Sequence, residues 1–259
     1  MTKKAIHSTL CVVGAGPGDP ELMTLKGFKA LENANVILYD HLTNRKLLEI
    51  AGSDCEKVYV GKRPYGSYTP QEEINELIKH YAYTRGNVVR LKGGDPFIFG
   101  RGFEEVLFAR SVGISASYIP GITSMQVAGL LEIPLTHRGI SESFWSITGT
   151  TSDGKVSKDL ISALRSTATV IIYMGMKNLA EIVLLCQKYG RENTPAAIIQ
   201  NGSRTNQRFL ICKACELDKK SSEAGLGHPA IIIIGEVVGI SYEKLLTDLP
   251  TRNSLIKNL

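Results

Sequence analysis

The sequence predicts an α/β protein with mainly parallel strands, on three observations. Apolar, β-branched runs alternate with helical patterns through most of the 259 residues, the order expected when crossover helices join parallel strands. The run at 88–91 ends in a turn holding two glycines, an acid and a proline, and a helical pattern follows at 104–107. Composition is that of an ordinary soluble globular chain, 43% apolar and 21% charged, and the length suffices for one large domain or two small ones.

Taken in order, the apolar runs predict strands at 10–13, 36–39, 57–60, 88–91 and 118–119, then at 144–148, 170–173, 197–200, 208–211 and 231–235. Between them, Thr69-Pro70-Gln71-Glu72 reads as a capping box with proline at the first helical position. Ile74, Leu77, Ile78 and Tyr81 then recur at i, i+3, i+4 and i+7, one face of a helix. A second helix starts at Asn178-Leu179-Ala180-Glu181 and should end at Gly190. The polar, glycine-containing stretch 134–141 predicts a hinge near residue 136, dividing the chain into 1–136 and 137–259. No short repeat or low-complexity segment appears.

Charge and composition exclude several classes. The net charge of +5 is modest, and no basic cluster interleaved with aromatics marks a nucleic-acid surface; the balance suits a polyanionic small molecule. The longest apolar run, 230–234, is strand-sized and far short of a membrane span. The start does not lead into a signal-type apolar region, so the cytoplasm is expected. Cys212 and Cys215 have CxxC spacing, but no second pair or nearby His completes a zinc site, and no metal is expected.

Two glycine-rich stretches carry the chemistry. Leu91-Lys92-Gly93-Gly94-Asp95-Pro96-Phe97-Ile98-Phe99-Gly100-Arg101-Gly102 places four glycines between a strand and a helix, a cradle that lets backbone approach a ligand with no Cβ between them. Earlier, Gly14, Gly16 and Gly18 follow a strand, and Asp40 ends the next one, as in a dinucleotide fingerprint. The spacing is GxGxG rather than GxGxxG, and Pro17 and Pro20 interrupt the helix that should receive a pyrophosphate. A nicotinamide- or flavin-dependent oxidoreductase is the rival reading.

The 91–102 motif resembles the diagnostic stretch of the tetrapyrrole methylase family. Four other stretches agree in order: 13–20 with Leu25-Lys26-Gly27; Tyr39-Asp40-His41-Leu42; Val60-Gly61-Lys62-Arg63; and 120–124 with 133–139. The similarity spans roughly residues 8–240. It implies two α/β lobes with an active site in the cleft between them, and S-adenosyl-L-methionine as methyl donor with S-adenosyl-L-homocysteine as product. It places cofactor contacts on Pro17, Gly93, Gly94, Asp95, Ile98, Thr123, Ser124, Met174 and Gly202. It offers Asp40 as proton acceptor and Lys62 as proton donor. Uroporphyrinogen III, a tetrapyrrole with eight carboxylates, is the implied substrate, and Arg63, Arg101, His137 and Arg138 are the candidates to bind it. Methylation at C2 and C7 would give precorrin-2 by way of precorrin-1, for sirohaem or cobalamin synthesis.

Met125 and Glu132 stand where the family usually has small residues, and Thr150 where His is common. The resemblance further implies a monofunctional enzyme and a homodimer. A methylase acting on a later precorrin and a silent module that only binds the cofactor are the remaining alternatives.

Overall fold

A computed structural model describes residues 7–61 and 69–240. The chain forms two compact units that divide between Ser124 and Met125.

In the first unit, strands β1 (Thr9–Gly14), β2 (Val36–Tyr39), β3 (Glu56–Tyr59), β4 (Asn87–Lys92) and β5 (Ser115–Ile119) form one sheet in the order β3-β2-β4-β1-β5. Every pairing is parallel. Helices α1 (Leu25–Glu32), α2 (Gln71–Arg85) and α3 (Gly102–Ser111) cover its faces. Successive side chains of a strand point to opposite faces, and β1 and β2 feed both cores in this way. Leu10, Val12, Val36 and Leu38 pack with Ile74, Ile78 and Ala82 of α2 and with Val106 and Ala109 of α3. Val13 and Ile37 turn the other way, to Leu31 of α1 and to Leu47 and Leu48. Each such side chain contributes about 1.5–3 kcal/mol when fully buried. Strands buried on both faces read as continuous apolar runs, and this is how they read in the sequence.

Helix α2 buries the expected stripe and stops at Gly86, but its capping box does not form. Pro70 itself occupies the N-cap, one residue later than the capping box requires, with no side-chain cap, and the Thr69 hydroxyl donates to the Gly61 carbonyl at 3.1 Å.

The second unit contains β6 (Phe144–Thr148), α4 (Asp159–Leu164), β7 (Thr169–Tyr173), α5 (Leu179–Lys188), β8 (Pro195–Gln200), β9 (Arg208–Lys213), α6 (Leu217–Glu223) and β10 (Ala230–Ile234). The sheet order is β6-β7-β10-β8-β9. Here the expectation of mainly parallel strands is corrected. Only β6 and β7 pair in parallel; β10 returns between β7 and β8 antiparallel to both, and β9 lies antiparallel on β8. All three helices contribute to a core on one face of this sheet, with Leu160, Ile182 and Leu217 fully buried. Gly190, at φ +70°, follows α5 as expected.

The division at 124–125 falls earlier than the hinge expected near residue 136. The segment Ser124–Leu131 is wound as 3-10 helix, and its contacts explain the earlier boundary. The Met125 amide donates to the Tyr173 hydroxyl at 2.9 Å, and Val127 fills the space where a Cβ on Gly202 would sit, 2.6 Å from Val127 Cγ2.

Candidate active site

At the C-terminal edge of the first sheet, chain direction makes a crevice. From β1 the chain leaves through α1, on one face, to reach β2; from β4 it leaves through α3, on the other face, to reach β5. Adjacent strands with opposite exits mark the place where open α/β sheets bind ligands. The two exit loops meet there. The Gly94 amide donates to the Gly16 carbonyl at 2.7 Å, and the Gly16 amide to the Gly94 carbonyl at 3.3 Å. A third loop arrives from β5: a Cβ on Gly121 would lie 2.3 Å from the Gly94 carbonyl oxygen, and one on Gly14 would lie 2.4 Å from the Gly121 nitrogen. No other residue type fits so close an approach. Pro17, half-buried, follows Gly16 in this junction, and buried Thr123 and half-buried Ser124 run beside Gly94.

Asp95 is the staple of the cradle. One carboxylate oxygen accepts the Phe97 amide at 2.8 Å, the other accepts the Gly121 amide at 3.1 Å, and the Tyr118 hydroxyl reaches both. Burial, then the hydrogen bond to Asp95, pushes the Tyr118 hydroxyl well above the ordinary tyrosine range. Half-buried Ile98 closes the same turn through its amide to the Asp95 carbonyl, at 3.2 Å.

Asp40 follows β2 at the same edge. Its Oδ1 accepts the Leu42 amide at 3.1 Å and lies 3.4 Å from the Thr43 hydroxyl. Its Oδ2 faces Arg90 Nη2 at 3.3 Å. Leu42 covers Gly93, where a Cβ would lie 2.6 Å from Leu42 Cβ. Behind Asp40, Glu105 Oε1 accepts from Arg90 Nε at 3.2 Å and from Lys92 Nζ at 3.1 Å. Burial, and then Arg90, push the Lys92 ammonium below the ordinary lysine range, against the opposing pull of Glu105 and Asp40.

In the second unit, β6, β7 and β8 point the same way, so their C-terminal ends share one edge. Met174 follows β7 in the left-handed region at φ +54°, half-exposed, and Asn201 and Ser203 flank Gly202 after β8 at φ +52° and +63°. The Thr150 hydroxyl donates to the Met174 carbonyl at 2.7 Å. Asn178 Nδ2 donates to the Gly149 carbonyl at 3.0 Å and lies 3.1 Å from Thr150 Oγ1. A non-glycine residue held at positive φ costs of order 1–3 kcal/mol and marks functional sites.

Comparison with known proteins places this geometry. The profile of the Tetrapyrrole (Corrin/Porphyrin) Methylases matches residues 9–218. The chain belongs to that family. The methylase is 42% identical to the uroporphyrinogen-III C-methyltransferase of Methanocaldococcus jannaschii over 243 residues, which is 93% of this chain and 98% of that relative. It is 40% identical to the siroheme synthase of Methylobacillus flagellatus over 95% of its own length, but spans only about half (53%) of that longer protein. Among solved structures, the uroporphyrin-III C-methyltransferase of Thermus thermophilus in complex with S-adenyl homocysteine superposes at a TM-score of 0.78 with 38% identity, covering 90% of this chain and 99% of that one. A cobalt precorrin-4 methyltransferase shares the fold at a TM-score of 0.81 and 23% identity. The dinucleotide reading loses its basis: helix α1 of the methylase starts only at Leu25, capped by Thr24 through the Gly27 amide, and so does not rise from the glycine turn.

Of the remaining sequence-derived residues, Arg101 belongs to the first unit, and His137 and Arg138 to the second. Arg101, exposed and at φ +56°, forks onto Glu104 at 3.0 and 2.6 Å and holds that carboxyl below its usual range. His137 and Arg138 lie in an exposed turn closed onto Ser141. Ser141 accepts the Thr169 amide at the start of β7, whereas Met174 follows its end. Within this unit, therefore, the turn does not join Met174. Lys62 and Arg63 lie outside the described residues. Sequence reasoning missed Arg90, Glu105, Tyr118 and Asn178. Arg90 alone left a signal, as a charge within an apolar strand.

Proposed function

We propose that this methylase transfers methyl groups from S-adenosyl-L-methionine to carbon atoms C2 and C7 of uroporphyrinogen III, yielding precorrin-2 by way of precorrin-1 for sirohaem or cobalamin synthesis. The observation that carries the proposal is the junction of Gly14, Gly16, Gly94 and Gly121 at the sheet's C-terminal edge, on the edge that also presents Asp40. The residues fit the cofactor: Gly94 presents backbone with nothing crowding it, Gly93 lies against Leu42, Thr123 and Ser124 border Gly94, Pro17 follows Gly16 in the same junction, and Asp95 is spent on shaping the turn. Ile98 offers apolar contact, and the family resemblance assigns Met174 and Gly202 to the same cofactor.

When bound, the cofactor supplies a methyl group on a sulfonium, with S-adenosyl-L-homocysteine as leaving group. The protein's part is to orient the acceptor carbon, exclude water and accept a proton; orientation alone accounts for roughly 7–11 kcal/mol of such barriers. Asp40, paired with Arg90 and partly exposed, takes the proton released by the newly methylated ring system. Lys62, as proton donor, shifts protons between positions of the ring system, so that one net proton leaves for each methyl group gained. Supporting the pairing, a Cβ on Gly61, the residue before Lys62, would lie 2.9 Å from the His41 amide, beside Asp40. Arg63, Arg101, His137 and Arg138 meet the substrate carboxylates. Arg101 can exchange its exposed Glu104 partner for them, because such a surface pair is worth little. The proposal includes a cytoplasmic homodimer, which light scattering of the purified protein would check.

The test is anaerobic incubation with methyl-labelled S-adenosyl-L-methionine and uroporphyrinogen III, read by mass. Gain of two labelled methyl groups is expected. Cofactor binding without transfer would overturn the substrate, and absence of binding would overturn the reaction.

A further inference from the structure

We infer that Arg90 is the positioning residue for the Asp40 carboxylate, and that the buried Glu105 locks Arg90 in place. The inference rests on the reading of Asp40 as proton acceptor.

Arg90 is 3% exposed, in the middle strand of the first sheet, where its neighbours Val88, Val89 and Leu91 are fully buried. A buried cation there carries a heavy desolvation penalty, and an apolar side chain of similar volume would often be as stable or more so. Its retention therefore calls for a reason besides stability, and the hydrogen bonds supply one. Nε donates to Glu105 Oε1 at 3.2 Å, Nη1 to the Leu38 carbonyl at 3.3 Å and the Leu91 carbonyl at 2.9 Å, and Nη2 to Asp40 Oδ2 at 3.3 Å. All three nitrogens are thus committed, and the guanidinium cannot rotate without breaking bonds that no water can replace.

Glu105 completes the lock from the opposite side. It is fully buried, and its Oε1 also accepts from Lys92 Nζ at 3.1 Å and Gln71 Nε2 at 3.3 Å. The group holds two anions, Asp40 and Glu105, and two cations, Arg90 and Lys92, so it is neutral as a whole. Exposure runs from Glu105 at 0% and Arg90 at 3% to Asp40 at 23%. Among the described residues, the charge pairing thus opens to solvent chiefly at the Asp40 carboxylate, with Lys92 at 9%. Oδ1 is held by its own turn, through Leu42 and Thr43; Oδ2 is held from within the sheet by Arg90. A carboxylate gripped from behind keeps one orientation towards an incoming ring, as a supporting shell does for a reacting group.

The test compares Arg90→Met, and Arg90→Met combined with Glu105→Gln, in the native and Asp40→Asn backgrounds. The paired variant removes one charge of each sign and leaves Lys92 opposite Asp40, which keeps a foldable protein in the experiment. kcat and KM for the tetrapyrrole are measured, with S-adenosyl-L-homocysteine affinity by calorimetry. We expect kcat to fall about 10- to 100-fold with KM and affinity little changed. In the Asp40→Asn background the further loss should vanish. Arg90→Lys, which keeps the charge without the fork, should restore thermal stability but not kcat. An equal loss in both backgrounds, or a rise in KM with kcat unchanged, would overturn the inference. Full turnover by Asp40→Asn alone would instead overturn the proton-acceptor reading on which it rests.

Discussion

The Tyr118 hydroxyl lies 2.8 and 2.6 Å from the two carboxylate oxygens of Asp95, tying the end of β5 to the glycine turn after β4. With the Phe97 and Gly121 amides it gives Asp95 three donors from within the unit. The acid of the motif thus serves chiefly to hold the loop shape on which backbone contacts depend. Tyr118→Phe should cost about 1–3 kcal/mol, the penalty for a buried acceptor that loses a partner. The expected readout is a lower urea midpoint at unchanged m-value, with weaker S-adenosyl-L-homocysteine binding.

Asp40→Asn keeps the shape of the side chain and removes its basicity. kcat should fall by about 10²- to 10⁴-fold, the usual contribution of a positioned base. Calorimetric affinity for S-adenosyl-L-homocysteine should stay within about twofold, since the glycine cradle does not use this carboxylate.

Thr150→Ala removes the hydroxyl that holds the Met174 carbonyl at 2.7 Å and faces Asn178 at 3.1 Å. Stability should drop by about 1 kcal/mol, a typical net hydrogen bond. A larger effect is expected on cofactor affinity, because Met174 is then free to leave its left-handed conformation at φ +54°.

Cys186 and Cys212 have their thiols pushed up to about 11, in each case chiefly by burial. At pH 8 only on the order of one in a thousand is thiolate, the form that reacts. Iodoacetamide should leave both unlabelled in the native protein and modify both in urea, as peptide mass mapping would show.

Most strands were legible because the interior strands of a parallel sheet are buried on both faces, so β1 and β2 read as unbroken apolar runs and β4 as one interrupted only by Arg90. Strand direction in the second sheet was not legible. An apolar run such as that of β10 carries no mark of which neighbour it pairs with or which way it points. The capping box at Thr69 misled because the helix takes Pro70 as its N-cap, a shift of register that no local pattern encodes. In the site, the glycines and Asp40 stood out by spacing, whereas the partners of Arg90 lie 50 and 15 residues away in Asp40 and Glu105. Only the closed sheet edge brings them together.

The meeting of Gly14, Gly94 and Gly121 bears on how this protein can be re-engineered. At Gly14 and Gly121 the obstacle to a larger residue is backbone: a Cβ on Gly121 would meet the Gly94 carbonyl at 2.3 Å and Gly14 Cα at 2.8 Å. A clash between side chains can be relieved by trimming the partner; a clash with main chain has no partner to trim. In a saturation library, Gly14 and Gly121 should therefore show no second-site suppressors, while Gly52, which has open space around it, accepts most residues. New substrate preferences will have to be sought around this joint, in side chains such as Leu42 and Ile98, and never through it.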